Sequence, residues 1–214
     1  MNRFAPFLLF SLLLVACGCS YAGEPSASRQ LESDSTFQPY VHCDGFAEGV
    51  RGVTLDRRPP TAEPWREVGI GGKSQRVSVI DGYRVMYSYA RTFPFATLKA
   101  ERSDPSKYLE DKEIVTSYFA DIAKADYKSD LVNFSGQNFS GQTLTKIELT
   151  GRTLGITQIL WDEDSIIVTI YFLNQETENR KFKTYEEFIS LRDSFIRGYI
   201  ECVTKKRATS ILSQ

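Results

Sequence analysis

The segment 72–74, with the sequence Gly-Lys-Ser, has the residue types of a phosphate-binding loop. The full motif is G-x-x-x-x-G-K-[ST], and Glu67 occupies the position of its first glycine. The segment also leads into "VSVIDGYRV", in which apolar and polar residues alternate and an Asp-Gly pair at 81–82 predicts a hairpin turn. A phosphate loop must lead into a helix, whose N-terminal N–H groups hold the anion. We therefore expect no bound nucleotide.

Hydrolytic chemistry has few candidate residues. A Ser-His-Asp triad requires a histidine, and His42 is the only one, with no Gly-x-Ser-x-Gly elbow in the chain. Paired carboxylates can hydrolyse glycosides or bind Ca²⁺, and the densest cluster is Asp-Glu-Asp at 162–164. That cluster is more simply a solvated hairpin turn, and the Ca²⁺-binding loop pattern with its glycine is absent. We expect no catalytic residues and no cofactor, and a carboxylate-dependent hydrolase remains the alternative.

The N-terminal residues predict export. Arg3 precedes an apolar run over 4–15 that is shorter than the roughly 20 residues of a membrane-spanning helix. The run ends in Leu-Val-Ala-Cys at 14–17, which resembles the lipobox of bacterial lipoproteins and implies that Cys17 is lipidated. We predict a signal peptide over 1–16 and a polar lipidated tether over 17–36, facing the periplasm. The alternative is cleavage after Ala22, which would release a soluble periplasmic or secreted protein.

The remaining cysteines suit an oxidising compartment. If Cys17 carries lipid and Cys19 lies in the tether, Cys43 and Cys202 remain as a candidate disulfide. Two free buried thiols are the alternative, since free cysteine is often a core residue. Two distant cysteines and His42 do not make a zinc site, so we expect no metal ligands.

The composition predicts one globular domain. The chain has 214 residues, of which 42% are hydrophobic and 25% are charged. Its net charge of −1 falls by one unit when Arg3 leaves with the signal peptide, so no basic surface indicates a nucleic-acid partner.

The order of elements predicts an α+β fold, an antiparallel sheet with two amphipathic helices. An irregular wrap is expected over 37–74, with short strands near 50–55 and 65–70. Strands follow over 76–80, 83–90 and 92–103. A helix should begin at Asp104-Pro105 and extend to about residue 125. Four strands and a second helix, which begins with a Thr-x-x-Glu capping box at 184–187, should complete the domain, followed by a tail over 204–214.

The region 75–203 resembles the PsbP-like superfamily, which includes small bacterial envelope lipoproteins. The resemblance rests on "VSVIDGYRV", "DKEIVTSYFADIAKA", "TQILWDEDSIIVTIYF" and "YEEFISLRDSFIRGYIE" in that order. It implies a PsbP-like fold and assigns no functional residue. We expect a non-catalytic envelope lipoprotein, attached to the membrane through its lipid, that binds another envelope protein or a small ligand. An immunity protein against a periplasmic toxin is one form of this function.

Overall fold

The computed structural model describes residues 35–46, 49–58, 65–70, 73–89, 93–125, 128–148, 152–174 and 182–212. The predicted signal peptide, Cys17, Cys19 and all but the last two residues of the predicted tether lie outside these described residues. The described helices include none that is long and apolar enough to span a membrane.

The fold is α+β, as predicted, and is built on a seven-stranded antiparallel sheet. The strand order is β1-β4-β5-β9-β8-β7-β6, and β2 and β3 form a separate two-stranded sheet. The elements are α1 (Gln38–Val41), β1 (Val50–Arg58), β2 (Trp65–Ile70), β3 (Lys73–Ser78), β4 (Asp81–Tyr89), β5 (Phe93–Arg102), α2 (Tyr108–Ala125), β6 (Ser129–Ser135), β7 (Phe139–Lys146), β8 (Thr153–Trp161), β9 (Ile166–Leu173) and α3 (Tyr185–Leu212).

One face of the large sheet is covered by α1 and α3 and holds the main core. The apolar residues of α3 recur at helical spacing and form one buried stripe. Alternate strand residues meet this stripe, because successive strand side chains point to opposite faces. The buried residues of this core include Tyr83, Val85, Tyr87, Leu98, Ile166, Val168, Ile170, Phe172, Phe188, Phe195, Tyr199 and Val203.

The opposite face of the sheet is covered in part by α2 and by the β2–β3 hairpin. A second, smaller cluster of buried residues lies here, formed by Val68 and Val77 of the hairpin, Tyr108 and Val115 of α2, and Leu160 and Ile167 of the sheet. Strands β8 and β9 are therefore largely buried on both faces, which explains their nearly continuous apolar runs.

The predicted hairpin turn at Asp81-Gly82 is wrong. Both residues belong to β4, which pairs with β1 and β5, whereas β3 pairs with β2. The buried Asp81 forms an ion pair with the partly exposed Arg102, 2.6 Å away. A Cβ atom on Gly82 would lie 2.7 Å from the backbone oxygen of Ala100. Asp81 and Gly82 therefore suit the pairing of β4 with β5, although an Asp-Gly sequence is also typical of a turn.

The predicted irregular wrap over 37–74 is also wrong. It contains α1, β1, β2 and part of β3, and β1 is an edge strand of the main sheet. Phe37 and Tyr40 are 0% exposed, so this segment contributes to the core. The short strands predicted near 50–55 and 65–70 are confirmed as β1 and β2, whereas α1 and the burial of its side chains were not predicted.

The predicted C-terminal tail is helical over most of its length. Helix α3 continues through Leu212, so Cys202 lies inside the helix and does not end it. Val203 and Arg207 are both buried and are four residues apart, which continues the buried stripe of α3. No glycine or proline follows Cys202 to stop the helix.

Candidate functional site

The cysteines predicted to pair lie together. The Cα atoms of Cys43 and Cys202 are 6.0 Å apart, and their sulfur atoms are at disulfide distance. The hydroxyl of Tyr87 donates a hydrogen bond to the backbone oxygen of Cys43, 3.1 Å away. The pair therefore joins the segment before β1 to α3.

The same N-terminal segment is fixed by the hydroxyl groups of buried tyrosines. Tyr199 donates to the backbone oxygen of Tyr40, and Tyr40 donates in turn to a carboxylate oxygen of Asp164. Burial raises the pKa of Tyr40 and Tyr199 well above the usual range, and the Asp164 carboxylate adds to the effect at Tyr40. These hydroxyls therefore stay protonated and serve as structural donors.

The acidic turn over 162–164 joins the paired strands β8 and β9 and exposes Asp162 and Glu163 to solvent, as predicted, and its carboxylates also pair with basic residues. Asp162 accepts hydrogen bonds from Lys112 of α2, 2.8 Å away, and from the hydroxyl of Tyr108. Arg207 of α3 pairs with Glu163 and with Asp164, at 2.8 Å in each case. The turn thus connects a helix on each face of the sheet, so its carboxylates have a structural explanation.

Carboxylates that are buried elsewhere in the fold have partners as well. Glu101 of β5 pairs with Arg66 of the hairpin, 2.7 Å away. Asp111 of α2 accepts from the backbone N–H of Ser78 at 3.0 Å and from the hydroxyls of Ser78 and Ser103. Such contacts offset the cost of burying these charged groups.

A polar row crosses four central strands on the face that carries α2. Gln142 of β7 is opposite Gln158 of β8, Gln158 is opposite Thr169 of β9, and Thr169 is opposite Lys99 of β5. Cross-strand neighbours point to the same side of a sheet. We call Gln142, Gln158, Thr169 and Lys99 the polar row.

The polar row contains buried atoms without hydrogen-bond partners. Gln158 and Thr169 are 2% and 4% exposed. Among the described residues, the Oε1 atoms of Gln142 and Gln158 and the Oγ1 atom of Thr169 have no hydrogen-bond partner. A buried unpaired polar group costs about 1–3 kcal/mol, so three such atoms in one row are unusual for a purely structural feature.

Charged and aromatic groups border the row. Lys99 is half-buried, and its ammonium nitrogen lies 5.5 Å from the centre of the Tyr171 ring. Burial raises the pKa of the Tyr171 hydroxyl, and the nearby Arg66 partly opposes this effect. Arg66 and Glu101 form an ion pair beside the row, and their opposite charges cancel.

The row has the chemistry of a binding site. Amide groups, a hydroxyl and an ammonium can orient a polar ligand, and a few such groups among apolar side chains are typical of ligand sites. Nucleophilic catalysis would need a base within hydrogen-bond reach of the hydroxyl. No such partner of Thr169 occurs among the described residues.

The other sequence candidates do not converge on this row. Lys73 and Ser74 begin β3, a strand rather than a helix, and Gly71 and Gly72 lie outside the described residues. His42 is exposed beside Cys43, on the segment that packs against the other face. The predicted motifs therefore identify no common site.

Sequence reasoning missed the polar row, although a signal was present. Gln158 follows Thr157 within the mostly apolar "ITQILW", and Thr169 interrupts the otherwise apolar run "IIVTIYF". A polar residue inside a strand buried on both faces needs a partner. That the two residues are neighbours depends on strand register, which the sequence does not specify over this distance.

Comparisons with known proteins add no family. No protein-family model matches this chain, and no curated protein is similar to it at a significant level.

Proposed function

We propose that this chain is a non-catalytic, lipid-anchored protein of the bacterial envelope, with a PsbP-like domain that binds a small polar ligand. The lipid on Cys17 would attach it to the membrane, and the segment before residue 37 would act as a tether. A disulfide between Cys43 and Cys202 suits the oxidising periplasm. Such a protein serves as an accessory factor for a larger envelope process.

The observation that carries this proposal is the set of unpaired polar atoms in the polar row. Gln158 and Thr169 are almost fully buried, yet Oε1 and Oγ1 have no described partner. Selection for stability alone favours apolar side chains at such positions. A ligand that donates hydrogen bonds to these atoms explains why polar residues are present.

The paired carboxylates support a binding function over the alternative carboxylate-dependent hydrolase. A glycosidase needs two carboxyl groups that face one bond, one as the acid and one as the base or nucleophile. Here Asp162 faces Lys112, Glu101 faces Arg66, and Asp81 faces Arg102. Each of these carboxylates pairs with a cation from another secondary-structure element.

The proposal can be tested with the full chain expressed in a bacterial host and extracted from the membrane fraction. We expect labelled palmitate on the wild type, no label on Cys17→Ser, and a retained small molecule detected by native mass spectrometry. The double variant Gln158→Leu/Thr169→Val should keep the palmitate and lose the small molecule. Thr143→Val is the matched control, because Thr143 lies on the other face and its hydroxyl is paired with that of Thr157. Unchanged labelling of Cys17→Ser contradicts anchoring, and a wild type without a bound molecule contradicts ligand binding.

A further inference from the structure

The charge around the polar row restricts the ligand that it can bind. Arg66 and Glu101 pair at 2.7 Å and neutralise each other. Lys99 is half-buried, and among the described residues its one charge-related contact is the Tyr171 ring. A partly buried ammonium group without a counter-ion favours an anion beside it, because the attraction is stronger away from bulk water.

The unpaired oxygen atoms restrict the ligand further. Amide oxygens only accept hydrogen bonds, so Gln142 and Gln158 require ligand groups that donate. An ammonium donor would be repelled by Lys99, whereas a hydroxyl donates without charge. A hydroxyl can also donate to or accept from the hydroxyl of Thr169. The donors are therefore best supplied as hydroxyl groups.

The register sets the size of the ligand. Lys99 and Gln158 stand on strands separated only by β9, so their backbones are roughly 10 Å apart at the usual strand spacing. A single compact molecule can reach both residues if its anionic group and its hydroxyls lie at opposite ends.

Resting on the proposed binding function, we propose that the polar row recognises a compact hydroxylated carboxylate, of which a sugar acid is the simplest form. The carboxylate lies against Lys99. The hydroxyls donate to Gln158 and exchange a hydrogen bond with Thr169. The class follows from the Lys99 ammonium, which has no counter-ion among the described residues, together with acceptors that need neutral donors.

Isothermal titration calorimetry with three probes tests this assignment on the purified oxidised protein. D-glucuronate carries both features, D-glucose has hydroxyls without a carboxylate, and acetate has a carboxylate without hydroxyls. We expect D-glucuronate to bind at least 10-fold more tightly than either of the others. Lys99→Met should weaken D-glucuronate binding at least 10-fold and bring it to the level of D-glucose.

The control is Lys205→Met, which removes the same charge from an exposed position on α3, on the opposite face of the sheet. It should leave D-glucuronate binding unchanged. If Lys99→Met does not fold by circular dichroism, Lys99→Gln replaces it, because a glutamine retains a polar end. Equal binding of D-glucose and D-glucuronate overturns the assignment and leaves ligand binding intact. Failure of D-glucuronate to bind overturns it as well, and the molecule retained by the membrane-extracted protein then decides separately whether the row binds a ligand.

Discussion

The hydroxyl of Tyr199 donates a hydrogen bond to the backbone oxygen of Tyr40, 2.8 Å away and 159 residues earlier in the chain. Cys43 and Cys202, three residues further along each segment, are also separated by 159 residues. Both tyrosines are fully buried. The N-terminal segment is therefore held by packing and hydrogen bonds in addition to the cysteine pair, which changes what we expect when the pair is removed.

The variant Cys43→Ser should fold and be less stable. A disulfide acts mainly by restricting the unfolded chain, so its contribution remains even when the native segment is well packed. We expect a loss of about 2–5 kcal/mol, which corresponds to a melting temperature lower by roughly 5–15 °C for a domain of this size. Cys19→Ser is the control and should melt like the wild type. Peptide mass spectrometry without reductant checks the bond, and two free thiols or an unchanged melting temperature contradict it.

Deletion of residues 204–214 distinguishes a helix from a tail. The deletion removes Arg207, whose guanidinium lies 5.2 Å from the centre of the Trp161 ring and pairs with Glu163 and Asp164. Loss of these contacts should lower the free energy of unfolding by about 1–3 kcal/mol, measured by urea denaturation. Removal of residues 213–214 alone is the control and should have no effect. A tail that contributes nothing would give equal urea midpoints for both deletions.

Alkaline pH should destabilise the fold through its buried tyrosines. Burial raises the pKa of Tyr87 and Tyr199 far above the usual value near 10, whereas in the unfolded chain they ionise at that value. Above pH 10 the unfolded state therefore binds fewer protons than the folded state, and the free energy of unfolding falls as pH rises. The expected slope is about 1.4 kcal/mol per pH unit for each tyrosine until the folded-state pKa is reached.

The slope can be checked by urea denaturation between pH 9 and 11.5, with tyrosinate absorbance recorded in parallel. The free energy of unfolding of Tyr87→Phe should fall less steeply with pH than that of the wild type, by the slope expected for one tyrosine, whatever its stability at neutral pH. If the absorbance shows that all tyrosines ionise near pH 10 while the protein remains folded, the expected protection by burial is wrong.

The sequence was sufficient where the signals were local. The capping box predicted the start of α3: the N–H of Glu187 donates to the hydroxyl of Thr184 at 3.2 Å, and the Glu187 carboxylate accepts from the N–H of Lys183 at 3.0 Å. Strand β5 occupies nearly the predicted range, and α2 ends at the predicted residue, although it begins at Tyr108 and not at the predicted Asp104-Pro105. In these elements, periodicity and end signals depend on residues only a few positions apart.

The sequence was insufficient where a residue type served a distant partner. Gly82 is required by the backbone of β5, and Asp81 is required by Arg102, yet together they imitate a turn. Helix α3 extends beyond Cys202 to include Arg207, and the carboxylates that pair with Arg207 lie in a turn more than 40 residues earlier in the chain. The polar row could not be predicted, since it depends on the register of four strands at once.

Two threonines of the main sheet, Thr169 and Thr143, allow a binding role of a buried hydroxyl to be distinguished from a structural role. Thr169 has no described hydrogen-bond partner, whereas the hydroxyl of Thr143, on the opposite face, lies 2.9 Å from that of Thr157. Both side chains are buried, so replacement by valine removes a hydroxyl of similar burial from each. Thr169→Val should leave the unliganded protein equally stable or raise its free energy of unfolding by up to about 1 kcal/mol, because an unpaired buried hydroxyl is lost. Thr143→Val should lower the free energy of unfolding by about 1–3 kcal/mol, because the hydroxyl of Thr157 loses its partner.

Urea denaturation of the ligand-free protein gives both values, and calorimetry with D-glucuronate should show binding lost in Thr169→Val and kept in Thr143→Val. Destabilisation of Thr169→Val by as much as Thr143→Val would show that its hydroxyl already has a structural partner, and the polar row would then lose its best evidence for a ligand.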